Sequence, residues 1–109
     1  MPIRIDHVGI ACTDVARSLE FYSRLLAGTA EQRAGHLVIT AGALRLALVP
    51  RETAATRTDR GQHLALRTSL EERPLLLERL RELGAPWEDV RGRLYTQDPD
   101  GFVLEFLFD

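Results

Sequence analysis

The sequence is poor in cysteine and contains no lysine. Cys12 is the single cysteine among 109 residues, so no disulfide can form within the chain, and a reducing compartment is the simpler expectation. All 14 cationic side chains are arginine, yet the formal net charge is -2. Because no excess of positive charge is available for a phosphate backbone, we expect no nucleic-acid partner.

Long hydrophobic runs are also missing. The uncharged stretch Leu37 to Leu44 is far too short to span a bilayer, and the N-terminus enters strand-like sequence at once instead of a signal peptide. Hydrophobic residues nevertheless make up 45% of the chain, enough for a core. We therefore expect a cytoplasmic globular protein that does not bind membranes.

An internal repeat is present in the spacing of histidine and glycine. His7 and His63 each lie in a short apolar stretch of period two, which is typical of a strand. A segment of helical period follows each histidine and ends near a glycine, Gly28 or Gly84, at the same distance from it. The sequence therefore predicts two copies of one unit.

The elements of each unit follow from local signals. The first helix is predicted to begin at Thr13 or Asp14 and to bury a face with Val15, Leu19, Tyr22 and Leu26. The second begins with the capping pattern Ser69-x-x-Glu72, and Pro74 favours a separate 3₁₀ first turn. Three strands are expected after each helix, near 29–34, 36–41 and 43–49, and near 86–90, 93–97 and 102–108.

Turn residues separate these strands. Gly35 and Gly42 are predicted turns in the first unit, and Asp98-Pro99-Asp100-Gly101 is a strong turn signal in the second. The polar stretch 52–61 is the expected connector. The prediction is thus one α+β domain over 1–109, with βαβββ modules at 1–51 and 62–109.

Several motifs resemble those of the vicinal oxygen chelate superfamily, which includes glyoxalases, bleomycin-resistance proteins and dioxygenases. The resemblance covers nearly the whole chain and depends on four fragments: Ile5-Asp6-His7-Val8-Gly9-Ile10, Ser18-Leu19-Glu20-Phe21-Tyr22, Gln62-His63-Leu64-Ala65-Leu66, and Tyr95-x-x-Asp98-Pro99-Asp100-Gly101-x-x-Leu104-Glu105. It implies an eight-stranded, cup-shaped half-barrel around a ligand cavity, completed in a homodimer.

The resemblance also implies a metal site at His7, His63 and Glu105. Strand parity agrees, because residues two apart share a face, which groups His7 with Gly9 and His63 with Ala65. Two imidazoles and one carboxylate suit Zn, Mn, Fe, Ni or Co. A fourth ligand is not expected. Repeat symmetry makes Leu46 the first-unit equivalent of Glu105, or Arg45 after a one-residue shift, and neither residue type binds a metal.

Glu105 is the most informative single residue, because it interrupts the apolar strand Val103-Leu104-Glu105-Phe106-Leu107-Phe108. A buried carboxylate needs a metal, a cation or an open cavity, and Arg45 or Arg67 could be the cation. We assign Glu105 and Tyr95 as candidate catalytic residues. The candidate substrate contacts are Arg45, Arg67, Tyr95 and Trp87, against the plainer reading of a half-exposed arginine, a packed tyrosine and a hydrophobic contact beside the turn.

The function predicted from these residues is a divalent-metal-dependent enzyme acting on a small, oxygen-rich, anionic substrate. Isomerase, lyase, thiol transferase and dioxygenase chemistry all stay open. The chain lacks the Ser-rich potassium loop and the basic C-terminus of the fosfomycin-resistance transferases, and the acid–base His and Tyr set of the extradiol dioxygenases. The alternatives are a metal-free drug-binding protein of the bleomycin-resistance type, or a cavity used only for regulation or dimer stability.

Overall fold

The computed structural model describes residues 2–53 and 61–109, which fall into two compact units, Met1–Ala55 and Thr56–Asp109. Each unit has the element order βαβββ, so the α+β class and the two modules are confirmed. Most of the connector predicted over 52–61 lies outside the described residues.

The first unit is a four-stranded sheet with one helix. Its elements are β1 (Val8–Cys12), α1 (Val15–Leu25), β2 (Thr29–Arg33), β3 (His36–Ala41) and β4 (Leu44–Pro50), and the strand order is β1-β4-β3-β2. The β1 and β4 strands are parallel, and the other pairs are antiparallel. Helix α1 connects β1 to β2, the two edge strands, which run in the same direction and therefore need a crossover connection.

Helix α1 begins as predicted, because the Asp14 side chain caps it by accepting a hydrogen bond from the Arg17 N–H at 3.2 Å. Its buried face is rotated from the expected one. Tyr22 is buried as predicted, but the fully buried residues beside it are Ser18, Phe21 and Leu25. Val15, Leu19 and Leu26 lie at the edge of this face, half-buried.

The end of α1 uses its glycine differently from the end of the second helix. Ala27, with φ of 50°, takes the left-handed position, and the Gly28 N–H donates to the Ser23 carbonyl at 3.0 Å. A Cβ on Gly28 would lie 2.8 Å from the Thr40 carbonyl oxygen and 2.9 Å from a methyl of Ile39. Gly28 is therefore required by the close approach of β3.

The second unit repeats this architecture. A 3₁₀ turn (Leu70–Glu72) follows β5 (Leu64–Thr68) and leads into α2 (Arg73–Leu83), as Pro74 indicated; the remaining strands are β6 (Trp87–Val90), β7 (Arg93–Gln97) and β8 (Val103–Phe108). The strand order is β5-β8-β7-β6, with β5 and β8 parallel. The buried side chains of α2 and of the sheet form the core of this unit: Leu76, Leu80, Leu94, Leu104 and Phe106.

Both helices of the described residues are short. Neither is long and apolar enough to cross a bilayer.

Candidate metal-binding site

The second unit brings His63 and Glu105 together. His63 immediately precedes β5, and Ala65, two residues later, is the parallel partner of Glu105 in β8. This register places both side chains on one face of the sheet. The His63 Nε2 and Glu105 Oε1 atoms are 2.8 Å apart, and the side chains are 22% and 6% exposed.

Two buried polar atoms of this pair have no hydrogen-bond partner among the described residues, namely Glu105 Oε2 and His63 Nδ1. A buried carboxylate oxygen without a partner costs free energy unless an ion or ligand satisfies it. An imidazole nitrogen and a carboxylate oxygen are also the donor types that a divalent transition metal accepts, and here the two are 2.8 Å apart. The residues present therefore fit a metal ion.

The start of β8 is held by a side-chain turn. The Asp98 Oδ1 atom accepts hydrogen bonds from the backbone N–H groups of Asp100 at 2.9 Å and Phe102 at 2.8 Å. Because Asp98 is buried, these hydrogen bonds are shielded from competing water. The predicted Asp-Pro-Asp-Gly turn thus fixes the point at which the strand carrying Glu105 begins.

Arg93 lies beside Glu105, which the sequence did not indicate. Its Nη1 atom is 3.7 Å from Glu105 Oε2, an ion-pair distance but too long for a hydrogen bond. The two expected cations have other partners in their own units: Arg67 contacts Asp109 at 3.0 Å, and Arg45 contacts Asp6 at 3.9 Å. The expectation that Arg67 satisfies Glu105 is therefore wrong, because β5 carries Arg67 to the end of the sheet where Asp109 lies.

The alternation of buried and polar residues along β7 is the sequence pattern that could have predicted the position of Arg93. Arg93, Tyr95 and Gln97 occupy one face, while Leu94 and Thr96 are buried on the other. The cross-strand pairing of Tyr95 with Glu105 puts the polar face of β7 on the site side of the sheet.

Tyr95 and Trp87 lie on opposite faces. Tyr95 is adjacent to Glu105, and its ring centroid is 6.0 Å from that of His63 with an interplanar angle of 64°. Trp87 pairs with Thr96, on the other face, and is 42% exposed. The unit thus brings Tyr95 to the His63–Glu105 pair and does not bring Trp87 there; a substrate contact by Trp87 stays a prediction.

His7 lies just before β1 in the first unit. Its Nδ1 is 2.8 Å from Asp6 Oδ2, and this hydrogen bond, aided by the charges of His7, Arg45 and Arg33, lowers the pKa of the Asp6 carboxyl. When Nδ1 carries the proton, Nε2 carries the lone pair. A carboxylate on the distal ring nitrogen is the usual support of a metal-binding histidine.

Strand register corrects the expected repeat equivalent of Glu105. Gly9 pairs with Ala47 as Ala65 pairs with Glu105, so Ala47 occupies the equivalent position, and both Leu46 and Arg45 were wrong. Arg45 shares the face of Ala47, whereas Leu46 is fully buried in the core. Ala47 cannot bind a metal, so the first unit offers His7 without a carboxylate at this position.

The predicted equivalents of Glu105 were wrong because the turns before β4 and β8 differ in length. In the first unit four residues, 41–44, separate the paired Thr40 and Arg45, and in the second five, 98–102, separate the equivalent Gln97 and Val103. Counting from the turn glycine therefore shifts the register by one. Within neither unit do the described residues form a group of three His, Cys, Asp or Glu side chains that could hold a metal, so the second unit supplies two of the three predicted ligands.

The fold and this site define the class of protein. The sequence matches the Glyoxalase/Bleomycin resistance protein/Dioxygenase superfamily over residues 4–106, and the chain belongs to this superfamily. Among curated protein sequences none matches the chain.

Solved structures with the same fold include two resistance proteins and an oxidase. The fosfomycin resistance protein FosX from Mesorhizobium loti is 18% identical with a TM-score of 0.85, covering 100% of this chain and 94% of its own. A variant of FosX from Listeria monocytogenes, complexed with Mn(II) and 1S,2S-dihydroxypropylphosphonic acid, is 19% identical with a TM-score of 0.80, at 97% and 90% coverage. The oxidase ChaP-H2 is 22% identical with a TM-score of 0.83, at 100% and 95% coverage.

Proposed function

We propose that this protein is a divalent-metal-dependent enzyme of the superfamily that acts on a small, oxygen-rich, anionic substrate. The observation that supports this most directly is the His63–Glu105 pair, with donor atoms 2.8 Å apart and a second, buried carboxylate oxygen that has no hydrogen-bond partner in the part of the chain that the structure describes. Such a carboxylate is costly in a strand unless it binds something.

The proposed ligands are His63 and Glu105, with His7 as the third. Zn, Mn, Fe, Ni or Co would suit this donor set and would supply Lewis-acid stabilisation of negative charge on substrate oxygens. The FosX structure with Mn(II) supports a divalent ion in this fold, although at 19% identity it does not identify the metal here.

Other residues would orient the substrate. Tyr95 lies beside the pair, where its hydroxyl can donate a hydrogen bond to a substrate oxygen. Glu105 could bind the metal or carry a proton from the substrate. Arg45, Arg67 and Trp87 are retained as candidate contacts, and we propose a homodimer as the functional assembly. Isomerase, lyase, thiol transferase and dioxygenase reactions all fit these roles.

Metal binding tests this proposal. Protein purified without chelator should contain about one metal ion per chain by elemental analysis, and metal-free protein should take up Mn(II) or Zn(II) in calorimetric titration. His63→Ala and Glu105→Gln should each weaken uptake at least roughly 10- to 100-fold, because each removes a ligand. His36→Ala is the matched control: it removes an exposed histidine at the start of β3 and should leave uptake unchanged.

Circular dichroism would show that the fold is retained in each variant. If the wild-type chain takes up no metal tightly, or if His36→Ala weakens uptake as much as His63→Ala, the enzyme proposal fails. A metal-free binding protein of the bleomycin-resistance type would then be the better description.

A further inference from the structure

Arg93 is the charged group closest to the buried carboxylate of the site. It is the first residue of β7, two residues before Tyr95 and on the same face, and its side chain is 57% exposed. Its guanidinium therefore has one side toward Glu105 and the other toward solvent.

The side-chain N–H groups of Arg93 are available to bind a ligand. A guanidinium carries five N–H donors, and within residues 2–53 and 61–109 none of those of Arg93 makes a hydrogen bond; the one ionic contact, to Glu105, is 3.7 Å long. Arg67, two strands away in the same sheet, is bonded to Asp109 at 3.0 Å. The ion pair with Glu105 is long and is exposed at its Arg93 end, so it leaves the N–H donors of Arg93 available for a further anion.

The first unit shows that the fold does not require a cation here. His36 is the equivalent of Arg93, since each begins the third strand of its unit and pairs with the last residue of the strand before it, Arg33 or Val90. Glu105 is replaced by Ala47, and Tyr95 by Val38, in the same register. Guanidinium, phenol and carboxylate thus occur together only in the unit that carries the candidate ligand pair.

We propose that Arg93 is a specificity-determining residue that binds the anionic oxygen group of the substrate, a carboxylate or a phosphonate. Its planar fork can donate two parallel hydrogen bonds to either group. This inference rests on the proposed function, because it names the substrate class of the same site. It assigns to Arg93 the anion contact that was expected of Arg45 or Arg67.

Two small probes test the inference, methylphosphonate and acetate, titrated into metal-loaded protein and followed by ¹⁵N NMR. Arg93→Gln should weaken binding of the preferred probe roughly 10- to 100-fold, because it removes charge-assisted hydrogen bonds. The probe affinity of Arg93→Lys should fall between those of the wild-type chain and Arg93→Gln, since lysine keeps the positive charge but lacks the planar guanidinium. The control Arg81→Gln removes the same charge from the exposed last turn of α2 and should have little effect.

Metal affinity is the second measurement. If Arg93 contacts the substrate, Arg93→Gln leaves metal uptake unchanged or slightly tighter, because a cation near the metal is lost. A tenfold loss of metal affinity would overturn the inference and make Arg93 a positioning residue for Glu105. Equal effects of Arg93→Gln and Arg81→Gln on probe binding would also overturn it.

A further titration distinguishes failure of this inference from failure of the proposed function. If the wild-type chain binds no metal, the proposed function fails, and the probes are titrated into metal-free Glu105→Gln, which lacks the competing carboxylate. Probe binding that is lost in the double variant Glu105→Gln/Arg93→Gln would still support anion recognition by Arg93. No dependence on Arg93 in this background would overturn it.

Discussion

Glu105 shows how a single residue can oppose the stability of its own strand. Its side chain is 6% exposed, and the hydrogen bond to His63 satisfies only one of its two oxygens. Removing a carboxylate from water costs several kcal/mol, and a single neutral or charged partner does not fully offset this. A residue with such a cost is a functional candidate, which agrees with the metal-binding role proposed for it.

Ala27 and Gly28, at the end of α1, are adjacent residues that meet two different structural constraints. Ala27 has a positive φ that glycine adopts more readily, and Gly28 has a close contact that a Cβ would prevent. The conformation of one residue and the space around the next are therefore separate requirements.

We expect the two substitutions at this site to have opposite effects. Gly28→Ala should lower the free energy of unfolding by about 1–3 kcal/mol, because the Thr40 backbone must move. Ala27→Gly should raise it by about 0.5–1 kcal/mol, the relief of left-handed strain less the added chain entropy. Urea denaturation measures both, and destabilisation by Ala27→Gly would contradict the assignment.

At the scale of elements, strand register decides which residues reach the site. Because alternate residues of β4 face opposite sides, a shift of one moves Leu46 from the core to the site face. The structure pairs Leu46 with Ile39 and Val8, and it is fully buried; Ala47 takes the site face. A turn one residue longer in the second unit is enough to change which residue corresponds to Glu105.

Leu46→Ala tests this register. It should lower the free energy of unfolding by about 2–5 kcal/mol, since it leaves a cavity in the core. Arg45→Ala, the neighbouring control at a half-exposed position, should change it by less than about 1 kcal/mol. Denaturation monitored by circular dichroism measures the difference, and equal effects would be inconsistent with the observed register.

At the scale of the whole molecule, the exposed apolar residues bear on assembly. Ile3 and Ile5 precede β1 and are 101% and 84% exposed. Burying one isoleucine side chain contributes about 1.5–3 kcal/mol, so a second copy of the chain that covered these residues would gain stability from each of them. Their exposure supports the proposed homodimer.

Sedimentation tests this assembly. The wild-type chain should sediment at about twice the 12.3 kDa of one chain. The double variant Ile3→Ser/Ile5→Ser should weaken the dimer at least roughly tenfold, because it removes apolar area from the expected interface. Leu70→Ser, another exposed apolar position, serves as the control. A monomer at all concentrations would exclude the homodimer.

The Ser69-x-x-Glu72 capping box predicted for the second helix is wrong, because neither Ser69 nor Glu72 makes a side-chain capping hydrogen bond. The sequence was sufficient to predict the repeat, the order of elements in each unit, the Asp14 cap of α1 and the proximity of His63 to Glu105. These depend on periodicity, capping and turn residues, which act over a few neighbouring positions, and on a resemblance carried by several motifs. The tertiary structure was needed to show that Ala47 and not Leu46 corresponds to Glu105, that Arg93 and not Arg67 lies beside it, and that one of its oxygens has no hydrogen-bond partner among the described residues. Those facts depend on turn length and on pairing between strands distant in the chain, where a change of one residue reverses the face of every side chain that follows.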